Sequence, residues 1–194
     1  MPWKSSRAAD MPKISAAAFR ARARKIKVVL MDIDGVLASG TIYHWVDTAG
    51  ALVEFKGVHS QDSIALSWLA QSGIRTGFIS GRDSRGMEER LKLVKASYIY
   101  QGRLDKSAVF KEILLKASVA AEETLYMGDD LPDIPVLSAA GLAVAVRNAR
   151  PEVKASAHWV TRRPGGEGAV REVAEALLKA QGKWREILER FAAH

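Results

Sequence analysis

The sequence predicts a three-layer α/β protein built on an open, Rossmann-like parallel sheet, and three observations predict it. Strand-forming and helix-forming stretches alternate along nearly the whole chain, the pattern of a sheet wound with crossover helices. The first strand-like stretch, Ile26 to Met31, is almost unbroken in its apolar character, as expected of a strand buried on both faces. Short polar signals at Asp32-Ile33-Asp34-Gly35, Ser80-Gly81-Arg82, Lys106 and Gly128-Asp129-Asp130-Leu131-Pro132-Asp133 each sit where a predicted strand ends. In such a sheet the side chains at the carboxyl ends of the strands converge on one crevice, where ligands bind.

Taken in order, Ile14 to Lys25 is dominated by alanine and arginine, which favour a short helix. The strand Ile26–Met31 follows. Thr41–Val46 and Ala51–Lys56 flank the turn residues Asp47-Thr48-Ala49-Gly50 and form a hairpin. Gln61 to Ser72 carries apolar residues at 64, 65, 66, 68 and 69 and stops before Gly73, a helix with its terminating glycine. Ile74–Ile79 is the next strand, and Asp83 or Ser84 caps a helix running to about Lys95. Tyr98–Tyr100 is a strand, Asp105 to Lys116 a helix, and Thr124–Met127 the strand that delivers the acidic loop. Leu142–Val146 and His158–Val160 close the sheet. Glu167–Ala180 is a strongly periodic helix and Trp184–Phe191 a final one. The organisation expected is a basic arm with a short helix over 1–25, one body over 26–182, and a helical tail over 183–194.

A chain of 194 residues suffices for one domain that buries roughly 70% of its unfolded surface. The absence of cysteine excludes disulfides, thiolate metal sites and a cysteine nucleophile, and fits a reducing cytoplasm. No apolar run approaches the ~20 residues of a membrane span, and no secretory leader is recognisable, so neither a membrane nor export is expected. The net charge of +7 has one source: residues 1–27 hold eight basic groups and one acid, while the other 21 basic and 21 acidic residues cancel. The run Arg20-Ala21-Arg22-Ala23-Arg24-Lys25 is read as a solvated helix face rather than a nucleic-acid surface, because no aromatic pattern interleaves its charges.

The chemistry lies in the strand-end residues. Asp32 and Asp34 are two apart in an extended segment, so both carboxylates point the same way, and Gly35 lets the backbone turn behind them. One carboxylate can attack phosphorus while the other, protonated, serves the leaving oxygen. Ser80 ends a strand and opens a helix, where free amides favour an anion. Lys106 lies in the first turn of its helix, a poor place for a cation unless it faces an anion. Asp129, Asp130 and Asp133 would repel one another without a divalent cation, although Asp130 is equally suited to cap a helix.

In this order these motifs resemble those of the haloacid-dehalogenase-type phosphatases, over about Lys25 to Ala180. The resemblance implies that Asp32 is the nucleophile and becomes an aspartyl phosphate, and that Asp34 acts as acid and then as base. It implies that Ser80, Gly81 and Lys106 hold the phosphoryl group. It further implies a Mg²⁺ ion on Asp32, the backbone carbonyl of Asp34, and Asp129, with Asp130 and Asp133 behind them. Between Asp34 and Ser80, and between Ser80 and Lys106, there is no room for a cap domain, so only the hairpin can act as a flap. A capless body with a hairpin resembles the branch acting on 3-deoxy-octulosonate 8-phosphate in surface-polysaccharide synthesis, whose members are tetramers closed by neighbouring chains. Gln101-Gly102-Arg103-Leu104-Asp105-Lys106, Gly128-Asp129-Asp130-Leu131-Pro132-Asp133 and Arg163-Pro164-Gly165-Gly166-Glu167-Gly168-Ala169-Val170-Arg171-Glu172 match as well, the last as a lid over the site or as a loop into the last long helix. Arg82 is expected to meet the sugar carboxylate, with His59 and Arg163 contributing across an interface. Asp62-Ser63 and Gly165-Gly166-Glu167-Gly168 also resemble the branch acting on nine-carbon keto-sugar acid 9-phosphates, which is the alternative substrate class.

Overall fold

The structure is a computed structural model and describes residues 14–192. The first thirteen positions of the basic arm therefore lie outside the described residues. Six parallel strands form one sheet in the order β5-β4-β1-β6-β7-β8. These are β1 (Val28–Met31), β4 (Arg75–Ile79), β5 (Tyr98–Tyr100), β6 (Thr124–Gly128), β7 (Leu142–Ala145) and β8 (Trp159–Val160). β2 (Tyr43–Val46) and β3 (Leu52–Phe55) make a separate antiparallel hairpin. Among the described residues no second domain caps the sheet. Among the described residues no helix is long and apolar enough to cross a membrane.

The chain starts at the centre of the sheet, builds outward through β4 and β5, then returns to the other side of β1 and builds through β6, β7 and β8. Right-handed crossovers then send the connecting helices to opposite faces. On one face α1 (Ala16–Ala23), α2 (Ser60–Gln71), α7 (Ala169–Ala180) and α8 (Trp184–Ala192) pack together; on the other α4 (Lys106–Ala117), α5 (Ile134–Ala139) and α6 (Pro151–Ser156) do so. α3 (Arg85–Leu93) joins β4 to β5. The reversal of direction between β1 and β6 opens a crevice at the strand ends, where such sheets bind ligands.

Both α5 and α6 are absent from the sequence expectation. Each has six residues, fewer than the two turns over which helical periodicity can be read. The last helix is docked: Ile187 is buried, and Trp184 and Phe191 both meet the Trp68 ring edge-on. Two arginines of the basic helix are likewise tied to the body, Arg22 to the Gly141 carbonyl at 2.6 Å and Arg24 to that of Ala180 at 3.4 Å.

The segment leading into α7 lies directly behind the loop that follows β1. Gly166 N donates to Val36 O at 2.8 Å, and Gly165 N to Asn148 Oδ1 at 2.8 Å. The buried Asp62 of α2 accepts the amides of Gly168 (3.0 Å) and Arg171 (2.7 Å) and so caps α7 from a neighbouring helix. A Cβ at Gly165 would collide with the Gly35 carbonyl oxygen. Gly165→Ala is therefore expected to cost about 1–3 kcal/mol of stability through overpacking, read from the denaturant midpoint, and to lower turnover by displacing the loop that carries Asp34.

Candidate active site

Parallel register sets the site. Met31, the last residue of β1, is level with Phe78 of β4 and Met127 of β6. The chain steps from these into Asp32, Ser80 and Asp129 within two residues, so three polar side chains emerge side by side from adjacent strands. Oxygens of Asp32, Asp129 and Asp133 lie within 4.8 Å of one another. Gly35, at φ +92°, is needed twice over: its backbone is left-handed, and a Cβ there would overlap the Asp129 carboxylate.

One buried ammonium organises the acids. Lys106, 5% exposed, opens α4 just after its cap Asp105, and its Nζ lies 2.9 Å from Asp32 Oδ2 and 2.7 Å from Asp133 Oδ1. Asp133 is fully buried: Oδ1 also accepts the Tyr126 hydroxyl at 2.7 Å, and Oδ2 accepts the amides of Asp129 (2.9 Å) and Asp130 (3.2 Å). Its acceptors are thus committed to shaping the loop. Asp32 Oδ1 accepts the Ile33 amide at 2.6 Å. Asp129 Oδ1, in contrast, is buried without any hydrogen-bond partner. A buried unpaired carboxylate oxygen beside two other acids suits a divalent cation with a preference for oxygen ligands.

Burial pushes the Asp32 carboxyl up to about 6, with Lys106 opposing that rise and Asp133 adding to it. Asp129 is pushed up to about 7, first by burial and then by the charges of Asp32 and Asp133. Burial works against the charge of Lys106, yet Asp32 and Asp133 outweigh it and hold the ammonium above the ordinary lysine range.

The remaining expected residues fall in several places. Ser80 is buried at the tip of β4, with Gly81 beside it, and its Oγ accepts the Arg82 amide at 3.1 Å. Asp34 stands apart from the three-acid cluster. Its carboxylate meets Lys56, whose Nζ lies 2.7 Å from Oδ1 and donates to Oδ2 at 2.9 Å. The Arg82 guanidinium pairs with Glu54 Oε2 at 2.8 Å. His59 caps α2, its Nδ1 accepting the Gln61 amide at 3.3 Å. Asp130 is exposed and caps the single turn Leu131–Asp133 through the Leu131 amide. Arg163 lines an open groove of about 910 Å³ together with Arg147, Asn148 and Arg162, at the ends of β7 and β8.

Lys56, Glu54 and Tyr126 were not singled out from sequence, and Asp62 was noted only with Ser63 as a mark of the nine-carbon branch, not as a cap. Lys56 does carry a weak signal, a lone lysine closing an apolar hairpin strand. Tyr126 carries none, since an aromatic residue in a buried strand reads as core.

Comparison with known proteins finds enzymes among the relatives of this chain. Residues 94–173 match the haloacid dehalogenase-like hydrolase family. The 3-deoxy-D-manno-octulosonate 8-phosphate phosphatase KdsC of Escherichia coli (strain K12) is 39% identical over 166 residues, 86% of either chain. The crystal structure of a 3-deoxy-D-manno-octulosonate 8-phosphate phosphatase from Moraxella catarrhalis, in complex with magnesium ion, phosphate ion and a KDO molecule, superposes with a TM-score of 0.86. It is 34% identical and covers 91% of this chain and 99% of its own. A probable YrbI family phosphatase from Pseudomonas syringae pv. phaseolica also gives a TM-score of 0.86, at 37% identity over 91% of this chain and 98% of its own.

The raised carboxyls have a consequence for stability. Between about pH 4 and pH 7 the folded protein holds protons on Asp32 and Asp129 that the unfolded chain has released. In chelator, stability is expected to fall as pH rises through that window, and magnesium should restore it most at the upper end. Melting temperatures at about pH 5 and pH 7.5, with and without magnesium, check this. Asp129→Asn should flatten the pH dependence and weaken the magnesium effect together.

Proposed function

The chain belongs to the haloacid dehalogenase-like hydrolase family, and on that premise we propose that it is a Mg²⁺-dependent phosphatase that hydrolyses 3-deoxy-D-manno-octulosonate 8-phosphate to the free sugar acid and phosphate. The observation that carries the reading is the meeting of Asp32, Lys106 and Asp129 at the sheet's switch point, in a chain 34% identical to one crystallised with magnesium, phosphate and the sugar acid.

Asp32 is the nucleophile. Its Oδ2 attacks phosphorus in line, the bond from phosphorus to the sugar oxygen breaks, and Asp34 gives its proton to the departing oxygen. Water then attacks the aspartyl phosphate, Asp34 takes a proton from it, and the bond from Asp32 to phosphorus breaks to release phosphate. Ser80, the Gly81 amide and Lys106 bind the phosphoryl oxygens. Lys106 moves between duties, since its ammonium neutralises the Asp32 carboxylate before reaction and faces the phosphoryl oxygens during it. Magnesium, held by Asp32, Asp129 and the Asp34 backbone carbonyl, would offset the charge of the phosphoryl group against its attacking carboxylate. Asp133 holds Lys106 and the Asp129 amide in place, and Asp130 shapes the turn behind them.

Arg82 is the proposed contact for the sugar carboxylate, and His59 and Arg163 are proposed to contribute from neighbouring subunits of a homotetramer. Support for assembly comes from the hairpin, where Tyr43, Trp45, Val46, Leu52 and Phe55 are all about half or more exposed. Three of these side chains are rings in contact: Tyr43 stacks on Phe55 at 4.9 Å, and Trp45 meets Phe55 edge-on at 5.3 Å. An exposed apolar patch of this kind marks an interaction surface. A cytoplasmic location, expected of this cysteine-free chain, belongs to the same proposal.

Two measurements test the reading. Asp32→Asn is expected to lose turnover by at least about 10³-fold and to yield no acid-stable phosphoenzyme after quenching. Phosphate release across a panel of sugar phosphates should favour the eight-carbon acid over nine-carbon 9-phosphates. Arg82→Ala should weaken kcat/KM for that acid about 10-fold or more beyond any loss on an aryl phosphate, and equal losses would remove Arg82 from substrate recognition.

A further inference from the structure

Lys56 is the one buried lysine near the site that the mechanism above leaves without a task. It follows directly on β3, at the base of the hairpin, and its side chain is only 3% exposed. A buried ammonium needs anions around it, and Lys56 has them: both oxygens of Asp34, at 2.7 and 2.9 Å, and Glu54 Oε1 at 3.2 Å. Glu54 is held in turn by Arg82 at 2.8 Å and lies 3.4 Å from His44. The two buried lysines thus divide the acids between them. Lys106 serves Asp32 and Asp133, and Lys56 serves Asp34.

The backbone reinforces this pairing. Ala38, four residues beyond Asp34, bridges to Asp34 on one side and to Val58, two residues beyond Lys56, on the other. The loop bearing the proton-transfer group and the root of the flap are therefore pinned to each other by main chain as well as by charge. No other side chain bonds the Asp34 carboxylate among the described residues. Gly35, its neighbour in sequence, offers no side-chain wall to restrain it.

We propose that Lys56 is a positioning residue that holds the Asp34 carboxyl group at the angle from which it reaches the leaving oxygen, an inference that rests on the phosphatase reading above. Proton transfer needs heavy atoms within about 3 Å and aligned, and a freely rotating aspartate spends most of its time elsewhere. Lys56 removes that freedom in advance by donating to Oδ2, which leaves Oδ1, without a hydrogen-bond partner, as the oxygen that carries the proton. Glu54 and Arg82 keep the ammonium from following the substrate. The hairpin then does more than cover the crevice, because its base sets the geometry of the proton donor.

The test separates positioning from general structural support by the leaving group. An alkyl phosphate needs its departing oxygen protonated; an aryl phosphate with an acidic phenol does not. Leaving-group release in the first turnover is followed for 3-deoxy-D-manno-octulosonate 8-phosphate and for 4-nitrophenyl phosphate, with wild type, Lys56→Met and Lys56→Arg. Lys56→Met is expected to slow the sugar phosphate on the order of 10²-fold and the aryl phosphate by less than about 3-fold, with KM little changed. Lys56→Arg should recover most of the lost rate, since it restores a cation at the same place. Equal losses on both esters would overturn the proposal in favour of a structural role. A raised KM with unchanged kcat would overturn it in favour of direct substrate binding. If the wild-type protein forms no phosphoenzyme with either ester, the phosphatase reading itself fails and the inference with it, a result distinct from both.

Discussion

Three carboxylates share one pocket with a single buried ammonium, and most of the site follows from that imbalance. Oxygens of Asp32, Asp129 and Asp133 converge within 4.8 Å of one another, and among the described residues Lys106 is the one cation paired within that group. In a low-dielectric pocket, like charges at such distances strongly favour protonation or a counterion. The two acids that face the opening, Asp32 and Asp129, show this in their raised proton affinities. Asp133 resolves its own burden differently, by accepting from Lys106, Tyr126 and two backbone amides. The charge left over is what a divalent cation cancels, and the partnerless oxygen of Asp129 is where such a cation gains most.

The fold supplies this arrangement through strand order. Because the chain begins in the middle of the sheet and reverses direction beside β1, the ends of β1 and β6 face an opening that no crossover helix covers. The same order brings β4, and with it Ser80, to the other side of Asp32. Behind the crevice, the glycine-rich segment before α7 presses on the loop carrying Asp34, so closely that a single methyl group could not be fitted between them. That segment acts as a backing plate for the catalytic loop, and Asp62 fastens it by capping α7. Rigidity behind the site holds reacting groups in fixed positions, and the open front leaves the crevice accessible.

At the hairpin, two kinds of interaction meet in one small element. Its outer surface carries clustered aromatic rings left in contact with solvent, suited to association. Its base carries a chain of alternating charges from Asp34 through Lys56 and Glu54 to Arg82. The outer surface and the Asp34 carboxylate are thus joined through the base of one hairpin.

The sequence by itself determined the alternation of strands and helices, the hairpin, the missing cap domain and the acids at the strand ends. These are legible because they are local: periodicity, turn residues and motif spacing are written in consecutive positions. It did not reveal α5 and α6, whose six residues are too few to show a helical period. Nor did it reveal the ion pair of Lys56 with Asp34, the cap that Asp62 places on α7, or the hydrogen bond from Tyr126 to Asp133. Asp62 meets its partners across more than a hundred residues of chain, and the nearer pairs form only once the sheet has set the direction of each side chain. Only the tertiary structure could decide them, because an ion pair or a cap depends on which surfaces packing brings together, and no residue carries that information alone.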